Sequence, residues 1–148
     1  MSLKDRLAGD FKEAMKARDE IRKNTVNFAR AAIKQYEVDN RKELDDNGVV
    51  EILTKQVKMR KDALSDFEKA GRTDLIEAYS KEIEILMEYL PEQLSEAEIL
   101  EIVKASAAAL GIEGGRNNMG RLIGAVMPKV KGKADGGTVK RIVESILD

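Results

Sequence analysis

Apolar residues recur at three- and four-residue spacing along nearly the whole chain, and no useful stretch alternates with a period of two, so the pattern predicts helices throughout. The first places Leu3, Leu7, Phe11, Ala14 and Met15 on one face, from a cap at Ser2 to about Ala17. The second opens near Asp19 or Glu20 and is expected to bury Ile21, Thr25, Phe28, Ala32, Ile33 and Tyr36. From Asp39 to Gly48 the pattern dissolves into charge, which predicts a connector. Val50, Leu53, Val57, Leu64 and Phe67 then form a heptad-like run between Val49 and Ala70, a helix about 33 Å long. Gly71 suits its exit and Thr73 the cap of a return helix, whose Leu75, Tyr79, Ile83, Leu86 and Leu90 answer the first seam. Two seams so closely joined predict a long antiparallel helical hairpin.

Pro91-Glu92-Gln93-Leu94 is the expected domain boundary, with a four-helix domain over 1–90 and a three-helix domain over 91–148. Ser95 and Glu98 have the spacing of a capping box for a helix carrying Ile99, Ile102, Val103 and Leu110, ended by Gly111 and followed by a loose Gly114-Gly115 link. Met119, Leu122, Ile123, Val126, Met127 and Val130 are the stripe of the next helix. Pro128 has no N–H to give the Gly124 carbonyl, so that helix should bend or end near Met127. Gly120 and Gly124 stand one turn apart beside the stripe, each costing about 1 kcal/mol relative to alanine. Close approach of a neighbouring helix, or of a ligand or nucleic-acid backbone, is expected there. Lys131-Gly132-Lys133 reads as a helix exit with Gly132 free to turn left-handed, and Asp135 or Thr138 as the cap of a last helix burying Val139, Ile142, Val143, Ile146 and Leu147. The expected class is all-α, four helices and then three.

Charge changes the picture at one place. The chain of 148 residues carries a net −1, yet Arg116, Arg121, Lys129, Lys131, Lys133, Lys140 and Arg141 face only Asp135 across their own stretch, a local +6. The stretch before it, Pro91 to Gly115, has five glutamates and one lysine. A cationic segment gathered on the joint between two helices points to a polyanion as partner. Few base-reading groups accompany it, so recognition by shape and backbone is expected.

Other chemistry is poorly supported. With neither histidine nor cysteine the chain lacks the usual zinc ligands, thiolate nucleophiles, disulfides and a histidine general base. Lys131-Gly132-Lys133-Ala134 is no phosphate loop, because Met127 stands at the first glycine position and Ala134 where Ser or Thr is required. Asp45-Asp46-Asn47-Gly48 only faintly suggests a calcium loop, since Glu43 and Thr54 replace its first Asp and closing Glu. Glu82 with Glu84, and Asp45 with Asp46, lie amid opposite charges and read as solvated faces, as do Lys55, Lys58, Arg60 and Lys61 beside Glu51, Asp62 and Asp66. Tyr36, Tyr79 and Tyr89 sit on apolar seams and read as core, not as stacking platforms. No cofactor, metal or membrane span is expected, and the N-terminus has neither signal-peptide nor transit-peptide character, which makes the cytoplasm the default.

Met119-Gly120, Gly124, Val126-Met127 and Lys131-Gly132-Lys133-Ala134-Asp135 resemble the signature of the YqeY family, also called GatB/YqeY. The resemblance continues through Lys55-Gln56-Val57-Lys58, Phe67-Glu68-Lys69-Ala70-Gly71-Arg72 and Tyr89-Leu90-Pro91-Glu92-Gln93-Leu94, so it covers nearly the whole chain. The last third is also similar to the tail domain of the B subunit of the glutamyl/aspartyl-tRNA amidotransferase, departing from it at Pro128 and at Asp135-Gly136, where the tail carries Asn-Pro. That resemblance implies contact with the tRNA elbow through a part that is not catalytic. The expected function is therefore a tRNA-binding module without enzymatic activity of its own, with an amidotransferase or tRNA-synthesis complex as possible company. The alternative is a helical protein adaptor that binds no nucleic acid, marked by an exposed apolar stripe on the first four helices.

Overall fold

The Asp5 amide donates to Ser2 Oγ at 3.1 Å and starts helix α1 (Leu3–Ala17) in the computed structural model, which describes residues 1–148. Six more helices follow: α2 (Glu20–Asn40), α3 (Asp46–Ala70), α4 (Thr73–Met87), α5 (Glu96–Leu110), α6 (Met119–Val130) and α7 (Gly136–Leu147). A single 3₁₀ turn, Arg116–Asn118, precedes α6, and there is no strand. The class is all-α, and the chain divides into two compact units, Met1–Leu90 and Pro91–Asp148. No helix is long and apolar enough to cross a membrane.

In the first unit α1 packs on α2 and α3 on α4 around Leu7, Val26, Ile33, Val49, Leu53 and Leu86. The buried face of α2 is rotated from the expected one. Thr25, Val26, Ala29 and Ile33 are buried, whereas Phe28 is 60% and Ile21 39% exposed. Two apolar registers compete on this helix, and the inner one is available because the Thr25 hydroxyl donates to the Ile21 carbonyl at 2.7 Å and enters the core satisfied. The connector is shorter than expected, only residues 41–45. Its Leu44 is buried, and the two acids where it meets α3 are occupied by backbone: Asp45 accepts the Gly48 amide and Asp46, the first residue of α3, the Leu3 amide, each at 2.9 Å. The faint calcium loop is thus a helix cap.

The α3–α4 hairpin turns at Gly71, and Arg72, not Thr73, occupies the cap position, without a side-chain bond. Towards that turn the seam is only half-buried and is finished by an edge-on contact of Phe67 with Tyr79, ring centroids 5.0 Å apart. Arg60 and Glu82 join the helices at 3.3 Å with side chains only 11% and 18% exposed, so Glu82 is an inter-helix ion pair and not part of a solvated face. Buried Tyr89 donates its hydroxyl to Asp10 and carries the Arg6 guanidinium 4.5 Å above its ring, which removes it as a stacking platform.

In the second unit α5, α6 and α7 pack on one another around Val103, Leu122, Val126, Val130, Val139 and Val143. The capping box of Ser95 and Glu98 forms in both directions, each bond 3.1 Å. Leu110 is 38% exposed, contrary to expectation, because the helix exits at left-handed Gly111 and the buried Ile112 takes its place, its amide returning to the Ala107 carbonyl. The Gly114-Gly115 link is not loose either: the Gly115 amide donates to the Leu147 carbonyl at 3.0 Å and Asn118 Nδ2 to the Gly114 carbonyl at 2.8 Å.

Candidate nucleic-acid interface

Pro128 lies inside α6, and the helix neither ends nor loses its stripe at Met127: it continues to Val130, which is fully buried. One missing N–H removes one bond, and burial of Val130 in the core offsets it. The backbone leaves the helix at Lys131, turns left-handed at Gly132 (φ 74), and comes back as the Lys133 and Ala134 amides donate to the Val130 carbonyl at 2.8 and 3.1 Å. Ala134 is buried, and Asp135 caps α7 by accepting the Gly137 amide.

A brace holds this joint from the other side. The Leu94 amide donates to the Lys133 carbonyl at 2.8 Å, and Gln93 Nε2 donates to the carbonyls of Gly132 and Pro91, both at 2.8 Å. Two of the stretches that carry the family resemblance, Pro91 to Leu94 and Lys131 to Asp135, therefore meet through main-chain atoms. Their contact was invisible in sequence because 39 residues separate Gln93 from Gly132.

The seven cations do not form one even row. Arg116 pairs with Asp148 at 2.9 Å, a bond that raises its already high pKa, and Arg141 pairs with Glu96. Lys129 reaches back to α5, donating to the hydroxyl of buried Ser106 at 2.8 Å. Ser106 was missed in the sequence, although it falls three positions after Val103 on the buried stripe. Arg121 lies 3.5 Å from Asn118 Oδ1, near the limit of a hydrogen bond. Lys131 is exposed, while Lys133 and Lys140 are exposed and make no ion pair. Lys133 borders a hollow with Glu92, Gln93, Leu94 and Glu98, which puts carboxylates on one side of the joint.

The expected neighbour of Gly120 and Gly124 is absent. A Cβ at either position would meet nothing of this chain within 4 Å, and both residues are exposed. With Arg121 and Pro128, also exposed, they make the outer side of α6 a low surface with a cation at its edge. Gly132, by contrast, is buried and needed for its left-handed turn. No group of three or more His, Cys, Asp or Glu side chains is placed to hold a metal. What the surface can do is receive an anion at close range and hold it by charge, without bond chemistry.

These features define an all-helical protein of two units whose second unit presents a basic joint braced by hydrogen bonds to its main-chain carbonyls. A family profile described as Yqey-like protein matches residues 4–147, and the chain belongs to the YqeY family. Among its relatives is Altered inheritance of mitochondria protein 41, mitochondrial. The version from Pyrenophora tritici-repentis is 29% identical over 145 residues, 96% of this chain and 79% of the relative. The Lachancea thermotolerans protein of that name is 40% identical over 96 residues, 63% of this chain and 51% of the relative. The Kluyveromyces lactis one is 38% identical over 84 residues, 56% of this chain and 45% of the relative. In those two the match spans about half of the relative's length. All three are named mitochondrial, which does not coincide with a plain cytoplasmic assignment.

Proposed function

We propose that this YqeY-family chain binds structured RNA, tRNA foremost, without catalysing a reaction itself. The observation that carries the reading is the open glycine face of α6. Gly120 and Gly124 lie exposed on the side of the helix that carries Arg121, while Lys133 and Lys140 leave their charge unpaired. A side chain at either glycine would hold a phosphodiester backbone away from those cations, and its absence lets the backbone come close. The tail-domain resemblance supports tRNA as the RNA and an amidotransferase as possible company. An aqueous compartment that contains tRNA is the setting, the cytoplasm for this chain and the mitochondrion for the relatives so named.

With about four phosphate contacts, affinity for total tRNA in filter binding should fall about 100-fold between roughly 50 and 200 mM salt. Lys131→Glu with Lys133→Glu should abolish most of it, and Gly124→Leu should weaken it without removing charge. Affinity that ignores salt, or that survives all three substitutions, would overturn the reading. Addition of the chain to an amidotransferase, read as a change in its tRNA affinity, tests the company separately. The adaptor reading is favoured by one observation, the 60% exposure of Phe28 on α2.

A further inference from the structure

The outer face of α2 is ordered by chemistry. At about 100° per residue, Ile21, Phe28 and Gln35 align along the helix, and Asn24, Ala31 and Val38 lie within about 80° of that line. All six are exposed, Val38 at 64%. The next row round the helix is Lys23, Asn27, Arg30 and Lys34. An apolar and amide band, with Glu20 at one end of the helix and Asp39 at the other, therefore has a basic margin on one side.

Carboxylates do not neutralise that margin. Lys23 pairs with Glu20 at 2.9 Å, but Arg30 and Lys34 make no ion pair. Arg30 rests over the Phe11 ring, 5.4 Å from its centroid. Glu37, the one acid between Lys34 and Val38, accepts both Lys4 Nζ at 2.8 Å and the Leu44 amide at 2.7 Å. Asp39 accepts from the Gln35 amide. Two cations one turn apart on a helix repel each other, and an external anion would relieve that. A cleft of about 590 Å³ lies at this margin, with Lys4, Asn27, Arg30 and Lys34 on its walls, Leu7 and Ile33 beneath them, and Glu37, held by Lys4, as its one acid.

We propose that this face docks an amphipathic helix of another protein, with an apolar strip on the Ile21-Phe28-Ala31-Val38 band and acidic side chains along Arg30 and Lys34. Single-stranded nucleic acid fits less well, because it needs successive aromatic platforms and this face has Phe28 alone. A second copy fits less well too. An antiparallel two-fold contact through this face would set Arg30 and Lys34 on the same side as the cations of the other copy, and a parallel one would leave both basic margins without an acidic partner.

The test uses the full chain and a fluorescein-labelled synthetic helix of about five turns, with leucine on one stripe and glutamate beside it; its control has lysine for every glutamate. Fluorescence anisotropy should show binding of the acidic peptide and not of the basic one. Phe28→Ser should weaken it about tenfold. Arg30→Glu with Lys34→Glu should weaken it at least as much and confer binding of the basic peptide. All three positions are exposed, and circular dichroism of each variant should match that of the parent. Lys131→Glu with Lys133→Glu should change nothing, which separates this proposal from the RNA reading. Equal binding of both peptides, no binding of the acidic one, indifference to charge reversal, footprinting of an oligouridylate on α2, or a dimer abolished by Phe28→Ser would each overturn it.

Discussion

Two glycines of α6 and its exit behave oppositely for one physical reason, the backbone angle each holds. Gly132 has φ 74, where a Cβ meets the following carbonyl, so Gly132→Ala should destabilise the chain by about 1 kcal/mol. Gly124 is helical with nothing within 4 Å of a Cβ, so Gly124→Ala should stabilise by about 1 kcal/mol. Urea unfolding midpoints check both, and a fall in stability for Gly124→Ala would mean that the open face is not open. Tyr89 makes a third prediction. Burial, and next the bond to Asp10, push its hydroxyl well above the ordinary tyrosine pKa of about 10. The folded state holds that proton more tightly, so the contribution is complete below about pH 10 and declines as pH rises further. Tyr89→Phe should flatten this alkaline decline in a series of melts, measured against the parent chain.

At the scale of elements, the hairpin of α3 and α4 depends on a polar clasp as well as on its seam. Arg60 also donates from Nη1 to the Gln56 carbonyl and side chain, at 3.1 and 2.8 Å, so Glu82 faces a guanidinium fixed in place. Arg60→Ala should cost about 2 kcal/mol by stranding a sheltered carboxylate, and Arg60→Met with Glu82→Leu should recover most of that. If the double variant is no better than the single in guanidinium unfolding, the pair has some other worth. This hairpin was legible in sequence because its heptads are long and its glycine exit is unambiguous. The face of α2 was not, because Phe28 and Val26 belong to different stripes of similar hydropathy and only tertiary packing chooses between them. Pro128 misled about where α6 ends for a related reason: a local rule about one N–H omits the burial of Val130 two residues later. The cations were legible as a cluster, but not their partners, since Arg116 and Asp148 are 32 residues apart and Arg141 and Glu96 are 45 apart.

For the molecule as a whole, each unit encloses its own core, Leu7 to Tyr89 in one and Ile99 to Leu147 in the other. A fragment of residues 91–148 should therefore melt cooperatively by circular dichroism, although small domains of this size are marginal. A sloping, non-cooperative melt would mean that it depends on the first unit. The separation also gives each proposed contact its own address, RNA on the second unit and an acidic helix on the first, so that charge reversal at one should leave the other intact.

The brace from Leu94 to Lys133 gives the joint a built-in clock. That amide hydrogen is shielded only while residues 131–134 keep their path, so its rate of replacement by deuterium times how often the turn springs open. If nucleic acid settles on the lysines and stiffens the turn, Leu94 should slow its uptake before any residue of the first unit does. One backbone proton would then report occupancy in a protein that has no tryptophan to do so by fluorescence.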